Sequence, residues 1–227
     1  AMFVPISDDN PLRHLPFQYV TVGLIGLNVL VYVLFTSGFV VDGLETTAYS
    51  FGVVPAVFND YRTLPAEYAV IPGGLTLLTY QFVHGGFLHL ISNMAFLWVF
   101  GDNVEDAMGH ARFLVFYLLC GTGAAMAQAL PDPSSAIPMV GASGAISGVL
   151  AAYLMLYPRA RVTVVIPLGF YLHVTRLPAA AVLGLWFLLQ LLSEMMSGAG
   201  AGVAFRAHIG GFVAGLLLVF AFVPKRR

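Results

Sequence analysis

Ser143 sits in the run Gly141-Ala142-Ser143-Gly144 at the start of an apolar stretch, and His208 opens another apolar stretch 65 residues later. A hydroxyl and an imidazole are the groups that acyl transfer uses as nucleophile and general base. An ionisable side chain in membrane-grade sequence costs free energy without a partner, which makes His208 a functional candidate. Pro138 just upstream cannot lie inside a helix, so Ser143 is expected in the first turn of the helix that follows. There, free backbone N–H groups and the positive end of the helix dipole favour an anion, such as the oxyanion of acyl transfer. Gly141 and Gly144 would let a substrate backbone come close. The run is not a Gly-x-Ser-x-Gly elbow, and no strand precedes it. Close helix packing is the competing explanation for Gly141, Ser143, Gly144, Ser147 and Gly148, all small residues.

Gly211 and Gly215 follow His208 by three and seven residues and share its helical face, so that face can press against another helix. A neutral imidazole there can take the Ser143 proton and later return it to a leaving amine. A histidine bonded to a backbone carbonyl is the structural alternative. Glu194 lies 14 residues before His208 and no carboxylate is nearer in sequence, so a dyad is more economical than a triad. His89 and Asn93, spaced i, i+4, put two donors on one helix face. They can complete an oxyanion hole with the Ser143 amide, or serve as polar glue between helices. Three imidazoles from His84, His89 and His208 around a metal form a rival arrangement, but the spacing is not His-Glu-x-x-His and Asn93 is a poor zinc ligand. No metal and no cofactor is expected. Glu105, with Gly101 and Gly109, reads as a packing and hydrogen-bonding device at a helix end. Gln128, Glu194, His110, Arg112 and His173 lie near helix ends or in connections and are given no catalytic role.

The elements that must hold these groups are those of a membrane protein. Of 227 residues, 59% are hydrophobic and 9% charged, with mean hydropathy +0.87, whereas a soluble domain carries about 25% charged residues. A net charge of −1 without a basic cluster argues against nucleic acid as a partner. Cys120 is the single cysteine, which excludes an intrachain disulfide. Six segments are apolar enough to span as helices, at roughly 17–37, 86–104, 111–130, 142–157, 178–197 and 206–223, the fourth being short. Pro131, Pro133, Pro158, Pro178 and Pro224 bound them. The first exceeds a signal-peptide core and reads as a retained span.

The fold expected is an all-α polytopic bundle with residues 1–16 as a short cytoplasmic segment, 17–223 as one membrane domain and 224–227 as a basic tail. With the N-terminus cytoplasmic, that side receives Arg13, Arg112, Arg159, Arg161, Arg176, Lys225, Arg226 and Arg227, and the other receives Arg62 and Arg206. Eight against two gives an N-in, C-in chain, with Ser143 and His208 at comparable depth near the non-cytoplasmic face. The long connection 38–85 interleaves aromatic and acidic residues and reads as a segment lying in the outer interface.

The ordered set His84-x4-His89-x3-Asn93, Gly141-Ala142-Ser143-Gly144 and Ala207-His208-x2-Gly211-x3-Gly215 resembles the rhomboid intramembrane serine proteases over essentially the whole chain. The resemblance implies a six-helix core, Ser143 as nucleophile, His208 as base, and His89, Asn93 and the Ser143 amide around the oxyanion. It implies single-span transmembrane substrates, cut through an acyl-enzyme at the non-cytoplasmic side of the bilayer, and a structural or hydrating role for His84. The fifth helix and the loop after it, around Trp186, Phe187 and 195–202, would gate access. Two departures stand out: Leu75 and Thr76 replace a frequent Trp-Arg pair, and Ser147 replaces a tyrosine that in some members lies beneath the histidine. The alternatives are a non-cleaving rhomboid-like protein that binds membrane clients and, more distantly, a solute channel. A prokaryotic plasma membrane is the expected location.

Overall fold

The computed structural model describes residues 3–37, 43–168, 170–196 and 205–224. Helices occupy all six apolar segments: α1 (Tyr19–Thr36), α5 (Phe87–Met108), α6 (His110–Ala129), α7 (Ser143–Leu156), α8 (Ala179–Met196) and α9 (Phe205–Phe222). The connection after α1 folds into short pieces, α2 (Leu44–Phe51), α3 (Pro55–Phe58) and α4 (Thr76–Thr79), flanked by single 3₁₀ turns at Gly73–Leu75 and Tyr80–Phe82. By length and composition, α1, α6, α8 and α9 can cross a membrane. A fifth span arises if Gly73–Phe82 and α5, which meet at a 79° bend, are counted together. His89, Asn93, Asp102, Asn103, Glu105 and Asp106 make α5 the most polar of the long helices. The positions 38–42 and 197–202 of the expected interfacial and gating segments, and the basic tail at 225–227, lie outside the described residues.

Helix α7 has 14 residues, a rise of about 21 Å, well short of the ~30 Å hydrocarbon core. Its surroundings explain how so short a helix is tolerated. Gly144 to Tyr153 are all buried, and α5, α6, α8 and α9 pack around it, so its flanks meet protein along most of its length. Its small residues set the spacing. A Cβ on Gly148 would lie 2.4 Å from the Cys120 side chain of α6, and one on Gly215 would lie 2.4 Å from the Gly148 carbonyl oxygen.

The chain is not wholly α-helical, which corrects the all-α expectation. Strands β1 (Val4–Asp8), β2 (Arg161–Leu168) and β3 (Tyr171–Pro178) form an antiparallel sheet in the order β1-β2-β3. The run Val162-Thr163-Val164-Val165-Ile166 is β-branched throughout and lies between Pro158 and Pro178, which keep both neighbouring helices from extending into it. Val162 and Val164 face the bundle and are buried, so this sheet is one-sided. The expected short N-terminal segment is firmly held. Phe3 joins the core, Asn10 and Asn103 exchange hydrogen bonds of 2.8 and 2.9 Å, and the Asp106 carboxylate accepts the Arg13, His14 and Leu15 amides at 3.0, 2.7 and 2.6 Å.

Glu105 performs the helix-end role read from its neighbours. Its fully buried carboxylate accepts from the Val20 and Thr21 amides at 2.9 and 2.7 Å and from the Thr21 hydroxyl at 2.7 Å. It therefore caps α1, whose own N-cap residue Gln18 makes no side-chain bond. His110 Nδ1 lies 2.5 Å from Oε1, the oxygen that accepts the Val20 amide. Gly101, one turn earlier, admits the Thr21 side chain at 3.1 Å from its would-be Cβ, and Gly109 at φ +84° ends the helix. Glu105→Ala strands these donors in the interior and is expected to lower stability by about 3–5 kcal/mol, read as a lower thermal midpoint in detergent. An unchanged midpoint would contradict the capping role.

Candidate active site

The site forms where the N-terminal ends of α5, α7 and α9 meet. The Ser143 Oγ lies 2.8 Å from His208 Nε2, so the two residues that stand 65 apart in sequence are hydrogen-bonded partners. Ser143 is the first residue of α7, and Ala142 before it provides no side-chain cap, leaving the first-turn amides as free donors. Ile146 N donates to Ala142 O at 3.0 Å, which starts the helical ladder one residue before the serine.

Glycine brings the two helices together. A Cβ on Gly211 would stand 1.9 Å from the Gly144 carbonyl oxygen, and one on Gly144 would stand 2.5 Å from the Ala124 Cβ of α6 and 2.9 Å from the Tyr80 hydroxyl. Packing and chemistry are thus not competing explanations of these residues. The space beside Gly144 is filled by protein, so that glycine serves helix contact and not the approach of a substrate backbone.

Gly141 differs from the rest. Its φ of +125° lies in the region where L side chains are strained, and a Cβ there would meet His89 Nε2 at 2.7 Å and Asn93 Nδ2 at 3.7 Å. His89 and Asn93 therefore flank the turn that leads into Ser143. Asn93 is buried, and its Nδ2 has no hydrogen-bond partner among the described residues. Tyr80 fixes the same turn from the other side. Its carbonyl accepts the Gly141 amide at 2.9 Å, and its hydroxyl donates to the Gly121 carbonyl at 2.6 Å. That pair of bonds, with Thr79 Oγ1 donating to Phe51 O at 2.7 Å, anchors the connection in which Leu75 and Thr76 replace Trp and Arg.

His84 is buried with neither ring nitrogen hydrogen-bonded among the described residues, and its ring stands 5.1 Å from that of His89. His84, His89 and His208 do not form a metal-holding group among the described residues. Ser147 donates to the Ser143 carbonyl at 2.6 Å. The neighbours of the His208 ring are instead Trp186 of α8 and Phe205 of α9, with centroids at 6.0 and 6.4 Å. Gln190 of α8, to which the sequence reading attached no role, places Oε1 2.7 Å from His208 Nδ1. An uncharged amide in the middle of an apolar run of α8 was the signal available for it.

Residues 73–225 match the family model described as the Rhomboid domain. RHOMBOID-like protein 5 of Arabidopsis thaliana is 31% identical over 149 residues, covering 66% of this chain and 44% of that protein. Rhomboid-like protein 11, chloroplastic, of the same plant is 37% identical over 91 residues, 40% of this chain and 30% of the relative. The putative rhomboid protease YdcA of Bacillus subtilis (strain 168) is 28% identical over 150 residues, 66% of this chain and 68% of the relative. The chain thus spans less than half the length of these plant relatives. Relatives from a plant, one of them chloroplastic, and from a bacterium do not support the expected prokaryotic plasma membrane; the apolar helices and the family together make this a multi-pass membrane protein. With the domain match extending over most of its length, the chain belongs to the rhomboid family, whose members include intramembrane proteases.

Proposed function

We propose that this chain is an intramembrane serine endopeptidase that hydrolyses peptide bonds of single-span transmembrane proteins with Ser143 as nucleophile and His208 as general base. The observation that carries the reading is the 2.8 Å contact between Ser143 Oγ and His208 Nε2. It is within reach for proton transfer, in a setting where an isolated histidine would be costly. His208 takes the hydroxyl proton as Oγ attacks the scissile carbonyl. The oxyanion then faces the first-turn amide of Ser143, with Asn93 and His89 as side-chain donors. The unpartnered Asn93 Nδ2 supports that assignment. Collapse of the tetrahedral intermediate passes the proton to the leaving amine, and water activated by the same imidazole hydrolyses the acyl-enzyme. No metal or cofactor enters these steps.

The bias of Lys and Arg toward one set of connections supports an N-in, C-in chain whose site faces the non-cytoplasmic side. A fluorophosphonate probe tests the nucleophile directly. It is expected to label the folded wild type at Ser143 and to spare Ser143→Ala, with His208→Ala labelled far more slowly. A folded wild type that resists the probe and leaves single-span proteins uncut while binding them would favour a non-cleaving client-binding protein.

A further inference from the structure

We propose that Gln190 is a positioning residue for the Ser143–His208 pair, its side-chain carbonyl holding the His208 ring in the tautomer that carries its proton on Nδ1. The inference rests on the endopeptidase reading. The imidazole is bridged at both nitrogens, Nε2 to Ser143 Oγ at 2.8 Å and Nδ1 to Gln190 Oε1 at 2.7 Å. A neutral imidazole has one donor and one acceptor nitrogen, and an amide oxygen only accepts. Nδ1 therefore donates to Gln190, and Nε2 is left with the lone pair that receives the serine proton. The opposite tautomer would set two lone pairs against each other at 2.7 Å and leave Ser143 facing an N–H. The amide orients the base as a carboxylate would, without adding a charge to an apolar helix. Ser147 makes no contact with the ring that could do this instead, since its hydroxyl is engaged with the Ser143 carbonyl.

Gln190 also ties the pair to the position of α8. Trp186, Gln190 and Glu194 recur every four residues and form one stripe. Trp186 packs on His208 and Phe212, Gln190 bonds His208, and Glu194 accepts from Arg206 Nε at 2.5 Å. The buried residues of α8 are Ala179, Val182 and Leu183, all near its start. The half that carries Gln190 therefore meets α9 through this stripe together with Phe187, whose ring stacks on Phe212 at 4.2 Å. The acceptor that selects the His208 tautomer is thus supplied by a different helix from the one that carries the base.

The test compares wild type, Gln190→Leu, Gln190→Glu and Ser143→Ala as purified proteins. kcat and KM are measured against pH on a single-span reporter substrate. In parallel, the His208 tautomer is read by ¹⁵N NMR of histidine-labelled protein, with His208→Ala for assignment. Gln190→Leu is expected to lower kcat roughly 10- to 100-fold, at or below the low end of what a positioned base contributes, with little change in KM, and to let the NMR signal become a mixture of tautomers. Gln190→Glu is expected to recover most of kcat. Because an adjacent carboxylate favours the imidazolium, this variant should also move the acid limb of the kcat profile to higher pH, a displacement that a merely structural role would not produce. The same Nδ1–H tautomer in wild type and Gln190→Leu, or wild-type kcat and pH profile in both variants, overturns the proposal. A wild type that labels and folds but does not cleave overturns the endopeptidase reading instead, and the NMR comparison still decides Gln190. Should Gln190→Leu fail to fold, the pH profile of Gln190→Glu decides alone.

Discussion

Ser143→Ala and His208→Ala are each expected to reduce cleavage of a single-span reporter substrate in proteoliposomes by about 10⁴-fold or more, the scale seen when a nucleophile or its base is removed from other serine hydrolases. Without Oγ there is no atom to form the acyl-enzyme. Without the imidazole at 2.8 Å, the hydroxyl keeps its proton at the moment of attack. The double variant should be no worse than either single one, because the two groups act as a unit. Ser143→Ala removes one half-buried hydroxyl but leaves the glycine contacts of α7 and the His208–Gln190 bond intact, so its thermal midpoint should stay close to wild type. Full cleavage by either folded variant would end the mechanism.

The second large effect comes from residues that never touch substrate. Gly211→Val, and even Gly211→Ala, places a carbon 1.9 Å from the Gly144 carbonyl oxygen. Both sides of that contact are helix backbone, so neither can rotate away and α9 must be displaced from α7. Gly211 stands three residues from His208, and Gly144 directly follows Ser143. The displacement is therefore delivered almost at the hydrogen bond. A 1 Å misplacement of catalytic groups costs on the order of 10²-fold, and overpacking of this kind costs about 1–3 kcal/mol or more. Cleavage should fall at least 100-fold on that scale, together with the thermal midpoint. Gly23→Ala and Gly184→Ala are the contrast, because nothing lies within 4 Å of either would-be Cβ. Replacing an open helical glycine should leave activity unchanged and stability equal or higher by up to about 1 kcal/mol. If Gly211→Ala behaved like Gly184→Ala, the seam would not be what brings the pair together.

The features legible in the sequence share one property: they depend on neighbours at fixed helical spacing. His89 and Asn93 lie one turn apart on α5, Gly211 and Gly215 lie on the face of His208, and Glu105 stands between Gly101 and Gly109. Apolar run length located the helices to within a residue or two at most ends. What escaped depends on partners that spacing does not specify. Gln190 meets His208 from another helix, 18 residues away, and nothing in its local pattern names that partner. The sheet escaped for a different reason. Its β-branched run was present, but β1 lies more than 150 residues from β2, and apolar sequence between two spans does not distinguish a connection from a strand. The role of Gly144 was misread in part because a glycine beside a nucleophile suggests room for substrate, whereas here Ala124 and Tyr80 fill the space.

The order in which the parts of the site occur along the chain has a consequence for biogenesis. His89, Asn93 and Ser143 all precede His208, which lies on α9, the last helix described. In a chain made from its N-terminus and folding as it is inserted, Ser143 is therefore present before the residue proposed to activate it has been made. Throughout that interval the hydroxyl at position 143 is an ordinary alcohol. Under the proposed mechanism, hydrolysis would have to wait until α9 docks through Gly211 and Gly215, so completion of the fold and onset of activity would coincide.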